Sequence, residues 1–253
     1  MHAHCNLDPR DYRICQFSPE QLIHAAAGQG FEVLSITCHD LNIWSEELSD
    51  YARNLGIILI PGMEVTTEKT RHILVYNSDK EPESLNTLEK IRKCSKGGGL
   101  VVAPHPFYPG RTCLRGYLEK NPDLFDAVEY SGFLVRGLNF NRKSVKFADR
   151  TGKPVLGFGD IHYLWQLGKT YTWIYAEPEI RSILSAIRLG LVRIETTPLS
   201  WFEAAGWWAT ALCKKVSFAD SPLARIPSDK IKNGRRFGTA QERMESQSIH
   251  IGK

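Results

Sequence analysis

The sequence has six cysteines, Cys5, Cys15, Cys38, Cys94, Cys113 and Cys213, but no CxxC pair and no regular spacing among them. That excludes a zinc knuckle or a disulfide framework as the organising principle, and the residues read as free thiols. No run approaches the roughly 20 apolar residues of a membrane span. The N-terminus also lacks the basic stretch followed by an apolar segment that directs secretion, so a cytoplasmic protein is expected. Excess charge is missing from most of the chain as well. The net charge is +4, but from Lys214 onward nine Lys or Arg stand against four Asp or Glu, which leaves residues 1–213 near −1. A basic nucleic-acid-binding face on the body of the protein is therefore not favoured.

What is present is an alternation of apolar runs and amphipathic stretches. The pattern Ser18-Pro19-Glu20-Gln21 opens a helix with a capping box, and Leu22, Ile23, Ala26 and Ala27 supply its apolar stripe. Val33–Thr37 reads as a buried strand, Ser45 caps a second helix, and Ile57–Ile60 forms the next strand. Further strands are expected at His72–Tyr76, Leu100–Ala103, Asp126–Tyr130, Pro154–Phe158 and Thr172–Tyr175, the last of the series. Helices are expected around Leu85–Lys93, Asn139–Arg150 and from Pro178 to Gly190. Gly97-Gly98-Gly99 precedes a strand and lacks a Lys-Ser or Lys-Thr pair, so it reads as a helix stop and not as a phosphate-cradling loop. Such alternation predicts parallel strands with helices outside. No internal repeat is visible.

From Trp201 the pattern changes. Trp201, Phe202, Trp207 and Trp208 crowd together ahead of a tail rich in Ser, Pro, Gly, Lys and Arg. The expected division is one folded domain over residues 1–213, including an aromatic helix, and a basic disordered tail over 214–253. The aromatic segment packs on the core or, with the tail, meets a membrane surface or a partner.

The polar residues fall at the ends of the apolar runs. His2 and His4, at i and i+2, lie on one side of an extended segment, which is missing part of a first strand or begins at a truncation. Glu64 follows Ile57–Ile60, and a lone carboxylate there is expensive to bury unless cations neutralise it. Asp8, His39, His72, His105, Asp160 and His162 occupy equivalent positions, whereas His24 fits no cluster and reads as a surface or packing residue.

These motifs, His2-Ala3-His4, Ile36-Thr37-Cys38-His39-Asp40, Gly62-Met63-Glu64-Val65, His72-Ile73-Leu74, His105-Pro106 and Asp160-Ile161-His162, resemble the PHP (polymerase and histidinol phosphatase) family over roughly residues 1–195. The resemblance implies an α/β fold, a distorted seven-stranded (β/α) barrel, and a metal-dependent phosphoesterase holding two or three divalent ions. Carried over, it gives His2, His4, Glu64 and Asp160 to one ion, Glu64, His72 and His105 to a second, and Asp8, His39 and His162 to a third. Cys38 stands where the family usually has aspartate, and Asp8 lies one residue closer to the histidine pair than the pattern expects.

Mixed imidazole and carboxylate donors suit Zn, Mn or Fe better than Ca or Mg alone. The expected substrate is a small phosphorylated molecule, and Arg111 and Arg136 are candidates to hold its phosphate. A nuclease acting on nucleic acid or nucleotides is the second reading, and a non-catalytic, metal-stabilised docking module the third.

Overall fold

The structure, a computed structural model, describes residues 1–207 apart from 68, 79–84 and 86, together with residue 209. The chain divides into two units, Met1–Ala211 and Leu212–Lys253. The expected basic tail, Cys213 and Trp208 lie outside the described residues.

Helix α1 (Pro19–Gly28) forms its capping box, with Ser18 Oγ accepting from the Gln21 N–H and the Gln21 side chain accepting from the Ser18 N–H. It is followed by β1 (Val33–Leu34), α2 (Glu46–Asn54, capped by Ser45) and β2 (Ile58–Leu59), and β1 and β2 pair in parallel. Next come β3 (Gly62–Thr66), β4 (His72–Tyr76), α3 (Leu88–Lys96), β5 (Leu100–Ala103) and α4 (Gly116–Lys120). The series continues with β6 (Ala127–Ser131), α5 (Asn141–Thr151) and β7 (Val155–Phe158). Strands β3 to β7 make one five-stranded sheet in sequence order. A final two-stranded sheet pairs β8 (Thr170–Ile174) with β9 (Val192–Thr196) across α6 (Ile180–Arg188). The triple glycine ends α3 as expected, with the Gly97 N–H donating to Lys93 O and Gly98 at φ 98°.

The fold is mixed α/β, but the strands are not all parallel. β3 runs antiparallel to β4, and β4 antiparallel to β5, while β5, β6 and β7 run parallel. For β3 and β4 the reason is loop length: a parallel crossover needs a dozen residues or more, and Thr67–Arg71 between them allows only a hairpin. The strand at Thr170–Ile174 is not the last, because β9 follows it.

The described strands form three sheets and not a single continuous ladder. Isolated bridges join Ala3 to Ile161 and His39 to Glu64, and the Thr37 N–H donates to Ala3 O. These links set the histidine pair of the N-terminus beside the segment after β7 on one side and the segment after β1 on the other. Gly62 is required where β3 passes closest to its neighbours, because a Cβ there would strike the Ser35 hydroxyl and the Tyr76 ring.

The apolar sides pack in separate clusters. One joins α1 and α2 to β1 and β2 through Leu22, Ile23, Leu34 and Leu59, and another sets Ile91 and Phe147 against Val75, Val101 and Val128. A third places Ile183, Leu184 and Ile187 of α6 under Leu74, Val102 and Leu156. No helix among the described residues is long and apolar enough to cross a membrane. Residues 201–207 are helical, with Trp201 and Phe202 exposed, Ala204 buried and the Trp207 ring packed 4.7 Å from that of Phe133.

Candidate metal centre

Polar side chains at the strand ends converge on Glu64, which is 1% exposed in the middle of β3. Its Oε2 lies 3.3 Å from His2 Nε2, 3.4 Å from His4 Nε2 and 3.2 Å from His39 Nε2. Its Oε1 lies 2.7 Å from His72 Nδ1 and 3.4 Å from His105 Nε2. Asp160 Oδ1 faces the same pair from the segment after β7, 3.4 Å from His2 Nε2 and 3.3 Å from His4 Nε2.

The imidazoles are held from behind. His2 Nδ1 lies 3.0 Å from Glu129 Oε2, His4 Nδ1 2.7 Å from Asp8 Oδ2, and His39 Nδ1 3.0 Å from the same Asp8 oxygen. An ionised carboxylate only accepts, so each Nδ1 carries the proton and, in the neutral ring, the Nε2 lone pair faces Glu64. His105 is oriented similarly, with Nδ1 3.5 Å from Cys113 Sγ and Nε2 toward Glu64. Partners of this kind behind an imidazole are what orient a metal ligand.

Burial by itself would raise the carboxylate pKa values and lower those of the histidines. The facing charges reverse this at most positions. Burial pulls His2 down, but Asp160, Glu129 and Glu64 raise it to about 9. His4 and His105 are likewise raised well above the ordinary value and His162 is raised, in each case by neighbouring carboxylates acting against burial and, at His105, by Cys113 as well. Glu64 and Asp160 are held well below the usual carboxylate range by the surrounding imidazoles. His72 is the exception, since burial lowers it despite Glu64.

The donors fit a metal. Five overlapping groups of His, Asp and Glu, among them His2 with His4 and Glu64, and His39 with Glu64 and His72, bring their ligand atoms within 4.8 Å of one another. His4 Nε2 and His72 Nε2 are buried without a hydrogen-bond partner, a costly arrangement that a cation would relieve. Backbone strain collects here too. His105 (φ 27°) and Asp160 (φ 47°) both adopt a left-handed conformation that L-residues rarely take.

All nine sequence-predicted ligands are therefore in the cluster, but the third set is rearranged. Asp8 is fully buried, and both its oxygens are engaged by protein: Oδ1 accepts from the N–H groups of Arg10 and Asp11, and Oδ2 from the N–H of His39. His162 Nε2 instead lies 3.2 Å from Asp11 Oδ2, which is also 3.4 Å from His39 Nδ1. Asp11 is a residue that sequence reasoning passed over. Its signal was the turn Asp8-Pro9-Arg10-Asp11, in which Asp8 folds the chain back on itself.

Cys38 is buried with its sulfur 3.5 Å from that of Cys5 and does not face His39 Nδ1, which Asp8 already holds. Arg71, also not singled out, donates through Nη1 to the carbonyls of Arg111 and Cys113 and ties down the loop that follows His105. The side chains of Arg111 and Arg136 are exposed, as is His24.

A family model described as PHP-associated matches residues 139–192. In fold, the chain is similar to a two-domain protein of Bacteroides vulgatus containing a predicted PHP-like metal-dependent phosphoesterase, with a TM-score of 0.55 and 19% identity over 77% of this chain and 63% of that one. These matches show a PHP-associated segment over residues 139–192 and a fold like that of PHP-like proteins.

Among curated relatives, the chain is 30% identical over 91 residues to an uncharacterized protein of Methanocaldococcus jannaschii, covering 36% of the chain and 53% of that protein. It is 34% identical over 79 residues to a 5'-3' exoribonuclease of Haemophilus influenzae, covering 30% of the chain and 29% of the exoribonuclease. The chain thus spans about half the length, or less, of these relatives.

Proposed function

We propose that this chain is a metal-dependent hydrolase of phosphate esters, with its reaction centre at the cluster around Glu64. The observation that carries the reading is the common polarity of His2, His4 and His39, whose Nδ1 atoms are fixed by carboxylates while their Nε2 atoms face Glu64. His2, His4, Glu64 and Asp160 would hold one ion and Glu64, His72 and His105 a second. A third would use His162 and Asp11, while His39, its Nδ1 held by Asp8 as the positioning residue behind His4 and His39, presents Nε2 on the Glu64 side beside His72. Divalent Zn, Mn or Fe bound there would neutralise phosphate oxygens and make a coordinated water acidic enough to attack phosphorus.

The protein's own part is positional. Glu129 keeps His2 and the backbone N–H of His105 on one carboxylate oxygen, and so couples two ligand positions. Arg111 and Arg136, exposed on loops after β5 and β6, would neutralise the remaining phosphate charge. The bridges at Ala3–Ile161 and His39–Glu64 support a distorted seven-stranded barrel as the frame, because they fall at the gaps between the sheets.

Metal analysis of the purified protein, coupled to a panel of phosphomonoesters, phosphodiesters and nucleotides, tests the reading. Two or three equivalents of metal and turnover of at least one ester are expected. The reading fails if no ester is turned over by metal-loaded protein and Glu64→Ala and Asp160→Ala leave the metal content unchanged. The similarity to an exoribonuclease favours a diester over a monoester within the same reading.

A further inference from the structure

The loop that carries His105 also forms one wall of a groove of about 1140 Å³. Phe107, Pro109 and Arg115 line it from this loop, and the opposite wall is α5 with the turn before it, Asn139 and Phe140. The groove is strongly basic although residues 1–213 as a whole are not. Arg115, Arg142, Lys143, Lys146 and Arg150 face only two acids, Glu119 and Asp149. Glu119 is already used by Arg150 at 3.7 Å, and Arg142, Lys143 and Lys146 form no ion pair with a described residue.

This placement works against the helix itself. Arg142, Lys146 and Arg150 recur every fourth residue and so repel along one row. Arg142 and Lys143 sit in a first turn that contains no acid and has no side-chain cap, where the helix dipole disfavours cations. An anion lying along the row offsets both. From Arg142 to Arg150 the row runs about 12 Å, longer than one phosphate and suited to successive phosphates of a chain. Phe107 and Phe140 add partly exposed rings on which bases can stack. The groove also opens from the metal centre's own loop: the Arg115 N–H donates to Pro106 O, next to His105, and the carbonyl of Thr112 accepts from the His72 N–H.

We infer that this groove seats a single-stranded polynucleotide, its phosphodiester backbone along Arg142, Lys143 and Lys146, and leads it to the metal centre. Delivery for cleavage rests on the phosphoesterase reading above, whereas binding does not. This revises the expectation from composition, because the charge is concentrated on one helix and averaging over the chain hides it.

The test uses full-length, metal-loaded protein and strands with cleavage-resistant phosphorothioate linkages. Fluorescently labelled 12-nucleotide oligo-U and oligo-dT are titrated by anisotropy across a range of salt. Both should bind. The combined variant Arg142→Glu, Lys143→Glu, Lys146→Glu should weaken binding at least about tenfold and flatten the slope of log affinity against log salt by about 2, near 0.7 for each cation lost. A charge-matched control, Arg53→Glu, Lys90→Glu, Arg181→Glu, should change neither by as much, and the groove variant should melt no lower than the unsubstituted protein, because it relieves the unfavourable charges of α5. Unchanged binding and slope in the groove variant overturn the proposal, as does equal competition by polyglutamate of the same charge. Separately, the groove substitutions should leave hydrolysis of bis(p-nitrophenyl) phosphate intact. Absence of that hydrolysis even without substitutions sinks the phosphoesterase reading and leaves the binding result to decide the groove.

Discussion

His162 meets Asp11, with 3.2 Å between Nε2 and Oδ2, while Asp8 three residues earlier spends both oxygens on the backbone of its own turn and on His4 and His39. Two aspartates from one turn therefore have different roles, the first holding the ligands and the second presenting an oxygen at the edge of the centre. Asp8→Asn replaces an acceptor with a donor against groups that only donate. It should cost about 2–4 kcal/mol of stability in the metal-free protein. Asp11→Asn, at a side chain 21% exposed, should stay within about 1 kcal/mol and remove one equivalent of metal. Denaturant melts and metal analysis on both variants separate the roles, and the opposite pattern would return the ligand assignment to Asp8.

Metal uptake should release protons. In the metal-free protein His2 is raised to about 9 and so holds a proton at pH 7 that an incoming cation must displace, and His4, His105 and His162 are shifted in the same direction by their neighbouring carboxylates. Affinity for Zn should rise with pH up to about 9 and fall steeply below pH 6. The sign for stability follows from linkage. A histidine whose folded pKa is raised stabilises the fold fully below its unfolded value near 6.5 and loses that contribution as pH rises to about 9. Chelated protein should therefore melt at a lower temperature at pH 9 than at pH 6, and metal-loaded protein should reverse the order. A proton-release measurement at pH 7 that finds none would contradict the cluster's electrostatics.

How much of this was readable beforehand depended on whether the information was local. Ser18 and Gln21 announce a capping box because both partners lie within one turn, and α1 forms as expected. The ligands at His2, His4, Glu64, His72 and Asp160 were legible because each ends or begins an apolar run. Strand direction was not, since a run buried on both faces reads the same either way. Only the five-residue Thr67–Arg71 connection disclosed that β3 and β4 are antiparallel. β9 was missed although Val192-Arg193-Ile194-Glu195 alternates, because its half-exposed pattern makes sense only once β8 is there to pair with it. Asp11 was hidden for a related reason: its position depends on the bonds Asp8 makes, which spacing along the chain does not encode.

Restoring the aspartate that the family pattern has at position 38 should harm this protein. Cys38 is buried against Cys5 in a cluster with Ile36, Leu59 and Ile161, and His39 Nδ1 already has Asp8. A carboxylate at Cys38→Asp would be buried among apolar groups, at a cost of about 2–4 kcal/mol. Thermal melts should show the loss, and metal content should not rise. Cys38→Ser, which adds a smaller polar group, should cost about 1–2 kcal/mol. A Cys38→Asp variant that melts like wild type and binds additional metal would mean that the site lacks support there.

Glu129 offers the sharpest test of positioning, because its Oε2 serves two ligand residues at once. It accepts from His2 Nδ1 at 3.0 Å and from the His105 N–H at 3.1 Å, while its Oε1 is buried without a partner. Glu129→Gln keeps the shape and one accepting oxygen but removes the charge that helps raise His2. The ring then orients less firmly, and loss of such a partner typically lowers metal affinity about 10–100-fold. Competition with a chromophoric chelator reads that change directly. Because His2 loses a partner that favours its protonated form, the pH at which affinity levels off should also shift downward from about 9. A purely structural role would lower the melting temperature and leave that pH unmoved, so the shift of the affinity profile decides between the two.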